Sequence, residues 1–453
     1  MKDIHTYKNY YFIGVGGIGM SALARYFNFS GAKVFGYDKS PTHLTQKLEE
    51  ENILISYEDT ISSIPKELSP EDTLVVFTPA IPSDLKIKNY FINRNFTLLK
   101  RSRILGEITR TTQCLAIAGT HGKTTTSTLL THICNCANLP ATAFLGGISA
   151  NYNTNFIYNG TQISVVEADE FDRSFLTLSP DMAVITSTDA DHLDIYGNTE
   201  ELLNSFNDFA GLIPPEGFLL VKKGLSIKAG HKTYSVYEKA DYYAENIRIV
   251  EDRFEFDLIT PKQIIRDLVL HVPGKHNVEN AVAALAIGLE LNINPETLRQ
   301  ALSEFKGVSR RFTKHIFDNG KVYIDDYAHH PTELNAIIDA VKSLYPSKKL
   351  LTVFQPHLYS RTRDFADDFA KSLSKTDQLI LLDIYPAREL PIEGITSEWL
   401  AKKITVKDLE ITSLANALEV IRSKDFDVLL TVGAGNIDTL YEPILNWLNE
   451  TKI

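Results

Sequence analysis

Two glycine-rich turns, each set between an apolar strand and a helix, constrain this chain more than any other feature. The first is Gly14-Val15-Gly16-Gly17-Ile18-Gly19, after the β-rich stretch Tyr10 to Val15 and before the helically spaced Ile18 to Ser30. The second is Gly119-Thr120-His121-Gly122-Lys123-Thr124-Thr125, after Cys114 to Ala118 and before a helix expected from Thr124 to Cys134. Such a junction aims the unpaired N–H groups of a helix N-terminus at whatever lies beyond the strand, which suits a phosphate. It also requires strands and helices to alternate, and that pattern yields a mainly parallel sheet covered by helices.

The alternation runs on. Lys33 to Tyr37, Thr73 to Phe77 and Thr97 to Leu99 read as strands of the first unit. Ile163 to Val166, Ala183 to Thr186 and the Ala-rich helix Val278 to Leu291 belong to a second unit that begins near Cys114. A third begins near Arg311, with strands at Val322 to Ile324, Leu350 to Phe354, Leu379 to Leu382 and Val428 to Val432. The 453 residues allow two to four domains of roughly 100–200 residues each. The expected fold class is therefore α/β. Ligands of such sheets bind beyond the carboxyl ends of the strands. Asp38, Gly119 to Thr125, Glu167, Asp325, Asp326 and Gln355 to Arg363 stand there.

Composition narrows the partners. With 46 basic and 57 acidic residues the formal charge is -11, which speaks against nucleic acid or an anionic membrane as partner. No run of about 18 apolar residues occurs, and the N-terminus carries Lys2, Asp3, His5 and Lys8, so neither a membrane span nor a signal peptide is expected. Cys114, Cys134 and Cys136 lack framework spacing, which points to a reducing, cytoplasmic setting. Cys134 and Cys136 are read as small buried or half-buried thiols rather than a metal site.

The first turn matches GxGxxG, with Asp38 near the spacing where a dinucleotide enzyme holds a ribose hydroxyl. It reads as a diphosphate site and leaves open NAD, FAD or another nucleotide. The second turn is a shortened P-loop, since Ile117 stands where the first glycine of GxxxxGK[ST] would be. Its backbone can wrap a triphosphate, Lys123 can reach the outer phosphates, and the Thr124 hydroxyl can ligate Mg²⁺. Glu167-Ala168-Asp169-Glu170-Phe171-Asp172 places four carboxylates at a strand end, a cluster that needs a cation; Glu167 is the expected Mg²⁺ ligand. His192, among Asp189, Asp191 and Asp194, is a second candidate. Asn277 and Asn280 share a helix face and would either read an adenine edge or cap the helix. The third unit offers Asp325 to Glu333 and Gln355 to Arg363, rich in His, Tyr and Arg and suited to carboxylates.

Taken in order, GVGGIGMS, GTHGKTTT, EADEFDRSF, DADHLD, GKHNVENA, GVSRRF, DDYAHHPTE, FQPHLYSRT and IYPARELP resemble the motifs of the Mur ligase family of ATP-dependent amino-acid ligases. The resemblance spans the chain from the first glycine turn to Gly433-Ala434-Gly435. It implies a Rossmann-like domain binding a UDP substrate (1–109), a central P-loop ATPase domain (110–312) and a Rossmann-like domain bringing the amino acid (313–453). Gly14, Gly16, Gly17, Gly19 and Asp38 would then hold the UDP portion rather than NAD. Gly119, Thr120, His121, Gly122, Lys123, Thr124 and Thr125 would bind ATP, with Asn277, Asn280, Arg311 and Asp326 at further ATP-contacting positions. Thr124, Glu167 and His192 match the family's metal positions. Tyr327, His329 and Arg361 would face the substrate and the incoming amino acid.

The activity implied is ATP-dependent joining of L-alanine to UDP-N-acetylmuramic acid through an acyl phosphate, for peptidoglycan precursors. His329 or His192 would serve as base, and the chain would be a monomer or homodimer. Two other readings are carried: a recycling ligase that attaches L-Ala-γ-D-Glu-diaminopimelate to the same nucleotide sugar, and an NAD-binding oxidoreductase or nucleotide sensor built on the first turn. Many relatives carry Arg at Leu358, Asn at Ser187 and Asp at Asn436. No lysine lies between Lys123 and Lys222, so the carbamylated lysine of several family members is not expected.

Overall fold

The computed structural model describes residues 2–82, 84–191, 193–387 and 389–450. Three sheets organise them. Strands β1 (Asn9–Ile13), β2 (Lys33–Tyr37), β3 (Leu54–Ser56), β4 (Thr73–Phe77) and β5 (Thr97–Lys100) form a parallel sheet in the order β3-β2-β1-β4-β5. The second sheet begins with β6 (Gln113–Ala118), β7 (Ala141–Ser149), β8 (Thr154–Tyr158), β9 (Ile163–Ala168) and β10 (Met182–Ile185). It continues with β11 (Phe218–Lys222), β12 (Lys232–Ser235), β13 (Tyr242–Val250), β14 (Arg253–Ile259) and β15 (Ile264–Leu270). Its order is β15-β14-β13-β12-β11-β10-β6-β9-β7-β8. The third holds β16 (Thr313–Ile316), β17 (Val322–Asp326), β18 (Leu350–Phe354), β19 (Gln378–Leu382), β20 (Asp408–Thr412) and β21 (Val428–Val432). They run in the order β16-β17-β21-β18-β19-β20, and only β16 is antiparallel to its neighbour.

Strands β1, β17, β18, β19 and β21 are buried along their whole length, as expected when helices cover both faces of a parallel sheet. Strand β1 lies between β2 and β4, and β6 lies between β9 and β10. Both glycine turns therefore leave a sheet where its strand order reverses, the position that opens a crevice for a ligand. Strand β1 stops at Ile13, two residues short of the expected end, because Gly14 turns the chain at φ +85°.

The chain gathers into two compact units. One holds 1–246, 256–268 and 279–306; the other holds 247–255, 269–278 and 307–453. In the first, the helix Ile18–Phe29 after the first turn packs Tyr26 against Phe144 of β7 and Phe156 of β8. The same helix buries Arg25, which pairs with Glu51 at 2.7 Å and donates to the Asn155 side chain. Asn155, itself fully buried, donates to the Ile18 carbonyl at 2.6 Å and to Ser21 at 3.0 Å. A paired, hydrogen-bonded cation is what makes such burial tolerable. In the second unit, Leu334, Ile338, Phe369 and Leu430 belong to one apolar cluster, and Ile421, Leu429 and Ile444 to another. Among the described residues no helix is long and apolar enough to cross a membrane.

Candidate active site

The first turn is closed by an acid. Gly16 N–H donates to Asp38 Oδ2 at 2.7 Å, and Lys39 N–H donates to the other oxygen at 2.8 Å. A Cβ at Gly16 would lie 2.9 Å from that Oδ2 and 2.8 Å from Thr45 Cγ2, so a larger residue there would push these side chains aside. Gly17 is the N-cap of the helix that follows. Gly19 faces Arg101, whose Nη1 would lie 2.8 Å from an added Cβ.

The second turn carries a cation. Gly119 and Gly122 take positive φ, +127° and +84°, and Gly122 caps the helix Lys123–Cys136. Lys123 Nζ donates to the Gly119 carbonyl at 2.6 Å and to both oxygens of Glu170, at 2.7 and 3.0 Å. Burial pulls the ammonium toward its neutral form, but Glu170, Asp169 and Glu167 outweigh that and raise its pKa above the ordinary lysine value. The turn is pinned by β10 and the loop after it. Thr120 Oγ1 donates to the Asp189 carbonyl at 2.8 Å, His121 N–H to Ser187 Oγ at 2.9 Å, and Thr186 Oγ1 to the His121 carbonyl. Ser187, one of the departures from the family pattern, thus serves the turn directly. Thr125 is buried one residue beyond Thr124.

The acidic run at the end of β9 divides its four carboxylates among separate partners. Glu167 accepts from Thr124 Oγ1 and Ser127 Oγ, both at 3.2 Å, and from Gly146 N–H at 2.6 Å. Asp169 meets Arg101 at 3.3 Å, Glu170 holds Lys123, and Asp172 meets Lys100 at 3.0 Å. Two successive residues at φ +54°, Asp172 and Arg173, turn the chain there. Glu170 is 2% exposed, and the Tyr196 hydroxyl donates to its carbonyl at 2.6 Å. Sequence reasoning missed Glu170 and Arg101 as site residues. Four acids within six positions look alike until the fold gives Asp169, Glu170 and Asp172 a cation each and Glu167 hydroxyl and amide donors, and Arg101 lies 68 residues from its partner.

Glu167 and Thr124 offer oxygen atoms only, the donor set of a hard cation such as Mg²⁺. Glycine at 146 keeps room beside this carboxylate, since any Cβ there would overlap it. His192 lies outside the described residues. Asn280 is buried, with its Oδ1 where a Cβ on Gly122 would come within 2.6 Å. Asn277 belongs to the other unit, and its amide donates to the Pro273 carbonyl at 2.6 Å. Asn280 thus adjoins the P-loop, while Asn277 holds a carbonyl two residues before its helix.

The remaining expected residues lie in the second unit. Asp326 is buried and accepts from the N–H groups of Phe312 at 2.7 Å and Ala328 at 2.8 Å. Burial, opposed by Arg311 and these two donors, pushes its pKa up to about 6. The bonds hold a turn in which Arg310 and Arg311 lie over the Tyr327 ring, at 5.2 and 5.8 Å. Arg310 also pairs with the buried Asp325 at 3.2 Å. His329 Nδ1 sits 3.0 Å from the Tyr327 carbonyl and 3.4 Å from Glu333. Its ring is 5.9 Å from that of His357, and His357 Nδ1 is 3.3 Å from Nη1 of the buried Arg361. Tyr327, His329, His357 and Arg361 therefore form one line of contacts. Leu358 caps the short helix Tyr359–Asp364 at φ +69°, and Asn436 accepts from Gln355 at 2.8 Å.

Comparison with known proteins covers both glycine turns and the second unit. Residues 9–113 match the description "Mur ligase family, catalytic domain", 117–288 "Mur ligase middle domain" and 310–435 "Mur ligase, glutamate ligase domain". UDP-N-acetylmuramate–L-alanine ligase of Christiangramia forsetii is 51% identical over 98% of both chains, and that of Flavobacterium johnsoniae 49% over 99% of both. The crystal structure of UDP-N-acetylmuramate-alanine ligase MurC from Thermotoga maritima superposes with a TM-score of 0.84 at 27% identity, over 98% of this chain and all of that one. A murein peptide ligase of Psychrobacter arcticus, 21% identical over 98% of this chain and 99% of its own, shares the fold with a TM-score of 0.71. An oxidoreductase built on the first turn alone accounts for none of these matches. The three-domain α/β architecture, its two glycine turns and its full-length relatives place this chain in the Mur ligase family.

Proposed function

We propose that the chain joins L-alanine to UDP-N-acetylmuramic acid at the expense of ATP, in the cytoplasm, for peptidoglycan precursor synthesis. Residues 1–109 would bind the UDP portion, 110–312 ATP, and 313–453 the amino acid. The observation that carries this reading is the second turn. A half-buried ammonium, Lys123, sits at a helix N-terminus beside a Thr124 and Glu167 pair, within a chain half identical to alanine ligases along its whole length.

Amide formation from a carboxylate needs a better leaving group than oxide. Transfer of the γ-phosphoryl group of ATP to the lactyl carboxylate supplies one, as an acyl phosphate. Lys123 neutralises charge on the phosphates in that transfer. Until phosphate binds, Glu170 keeps it charged and placed; in the transfer Lys123 must exchange its bond to Glu170 for one to phosphate. Thr124 and Glu167 would hold Mg²⁺, whose chemistry is further charge neutralisation on the phosphate oxygens; His192 is the third ligand the family resemblance suggests. Asn280 and Arg311 are assigned to ATP. Asp326 acts through the turn it holds and is a positioning residue.

The alanine amine then attacks the acyl carbon, and phosphate leaves. Arg361 suits the alanine carboxylate by bidentate pairing. The amine must shed a proton, and His329 is the better candidate base. A carbonyl only accepts, so the Tyr327 contact favours a proton on Nδ1 and leaves Nε2 as the basic nitrogen. The test offers ATP, UDP-N-acetylmuramic acid and equal amounts of L-alanine and L-Ala-γ-D-Glu-diaminopimelate, and reads product masses. The alanyl product alone is expected; the tripeptide product alone would assign the chain to recycling instead.

A further inference from the structure

The helix Lys123–Cys136 carries the P-loop lysine at its start and an unassigned cluster at its end. His132 and Cys136 stand four residues apart on it, so they share a face. Glu304, the last residue of the helix Pro295–Glu304, meets them. One ligand atom from each, a histidine nitrogen, the cysteine sulfur and a carboxylate oxygen, all lie within 4.8 Å of one another. Cys136 Sγ is 3.7 Å from His132 Nε2. A tetrahedral zinc with its usual bonds to sulfur and nitrogen would set these two atoms about 3.6 Å apart.

We propose that His132, Cys136 and Glu304 form a zinc site that clamps the end of the P-loop helix to the end of the helix Pro295–Glu304. The donors are nitrogen, sulfur and oxygen, a mixed set that suits zinc better than magnesium or calcium. Three protein ligands leave the fourth position to water. His132 is prepared for the task. Its Nδ1 lies 2.7 Å from the Tyr152 hydroxyl, which fixes the ring and turns Nε2 toward the sulfur.

Cys136 is a free cysteine. On zinc binding the S–H bond breaks, an S–Zn bond forms and the proton passes to solvent. Thiolate and carboxylate together then balance the two positive charges of the ion. Cys136 is half-buried and Glu304 exposed, which leaves a way in. Cys134, two residues earlier and fully buried, takes no part. The two cysteines of the CxC pair thus have different surroundings: Cys134 is buried and Cys136 half-buried, as the sequence reading expected of such thiols. Thirteen residues of helix separate Cys136 from Lys123, about 20 Å at 1.5 Å per residue, so the ion would act on helix docking and not on the reaction.

The experiment uses the full chain, stripped with chelator and titrated with Co²⁺ and then Zn²⁺. One equivalent of Co²⁺ with an intense sulfur-to-cobalt charge-transfer band, bleached by Zn²⁺, is expected. Binding at the Mg²⁺ position cannot produce that band, because Thr124, Glu167 and His192, the ligands proposed there, carry no sulfur. Cys136→Ser should abolish the band. Glu304→Gln, at an exposed position and safe for folding, should keep the band and weaken zinc at least tenfold. No band in the natural chain, or a band that survives Cys136→Ser, would overturn the site. Unchanged zinc affinity in Glu304→Gln would overturn its three-ligand form.

Discussion

The two glycine turns look alike in sequence and differ in what closes them. The first turn is closed by an anion: Asp38 accepts the N–H of Gly16. The second is closed by hydroxyls from Thr186 and Ser187, and carries Lys123 with its counter-acid Glu170. A helix N-terminus alone attracts phosphate weakly. Adding a half-buried lysine that its acids keep charged makes the second turn a site where phosphate charge can build up during a reaction. The first turn, with one amide already claimed by a carboxylate, is suited to holding a nucleotide in place. In the proposed function, binding and chemistry are thus divided between two copies of one local design.

The largest expected effect separates the turns most sharply. Lys123→Met should lower kcat/KM about a thousandfold. It should also cost about 3 kcal/mol of stability, since it strands the buried Glu170. Adding Glu170→Gln should restore the stability but not the rate, as read by thermal denaturation beside steady-state kinetics. Restored activity in the double variant would erase the distinction between the turns. Next, Glu167→Gln should lower kcat about a hundredfold and raise the Mg²⁺ needed, with KM for the nucleotide sugar unchanged. Gly16→Ala should act in the opposite sense. Its Cβ collides with Asp38 and Thr45, which should cost about 2 kcal/mol and raise KM for the nucleotide sugar while sparing KM for ATP. If ATP suffers instead, the roles are reversed.

The smallest effect concerns Asp326. Its folded-state pKa, about 6, lies above the ordinary carboxyl value. The protonated form is therefore favoured in the native state. The stability this group contributes is fully present below about pH 4 and lost as pH rises through about 6. Carboxyl-carbon NMR should show its midpoint near 6. Urea unfolding at pH 5 and pH 7 should show the matching gain at the lower pH, absent from Asp326→Asn.

Much of this was legible in the residues. Strands β2, β4, β18 and β21 have the bounds expected of them, because apolar β-rich runs buried on both faces end abruptly at polar or glycine residues. Strands β11 to β15 were not read, since apolar and charged residues mix there and the strands are partly exposed. The phosphate turns were legible because only certain backbones allow Gly-Lys-Thr at a strand end. The pairing of Lys123 with Glu170, the use of Asp326 on two backbone N–H groups and the approach of Glu304 to Cys136 were not. Each depends on long-range packing that leaves no spacing rule behind.

The most direct test of the division is phosphate release from Mg-ATP in the presence of UDP-N-acetylmuramic acid, with and without L-alanine. The expected result is sustained release only when both are present, one phosphate per alanyl product. Release that ignores alanine, or none with either substrate, would contradict a ligase in which the second turn drives the joining of alanine to a nucleotide sugar held by the first.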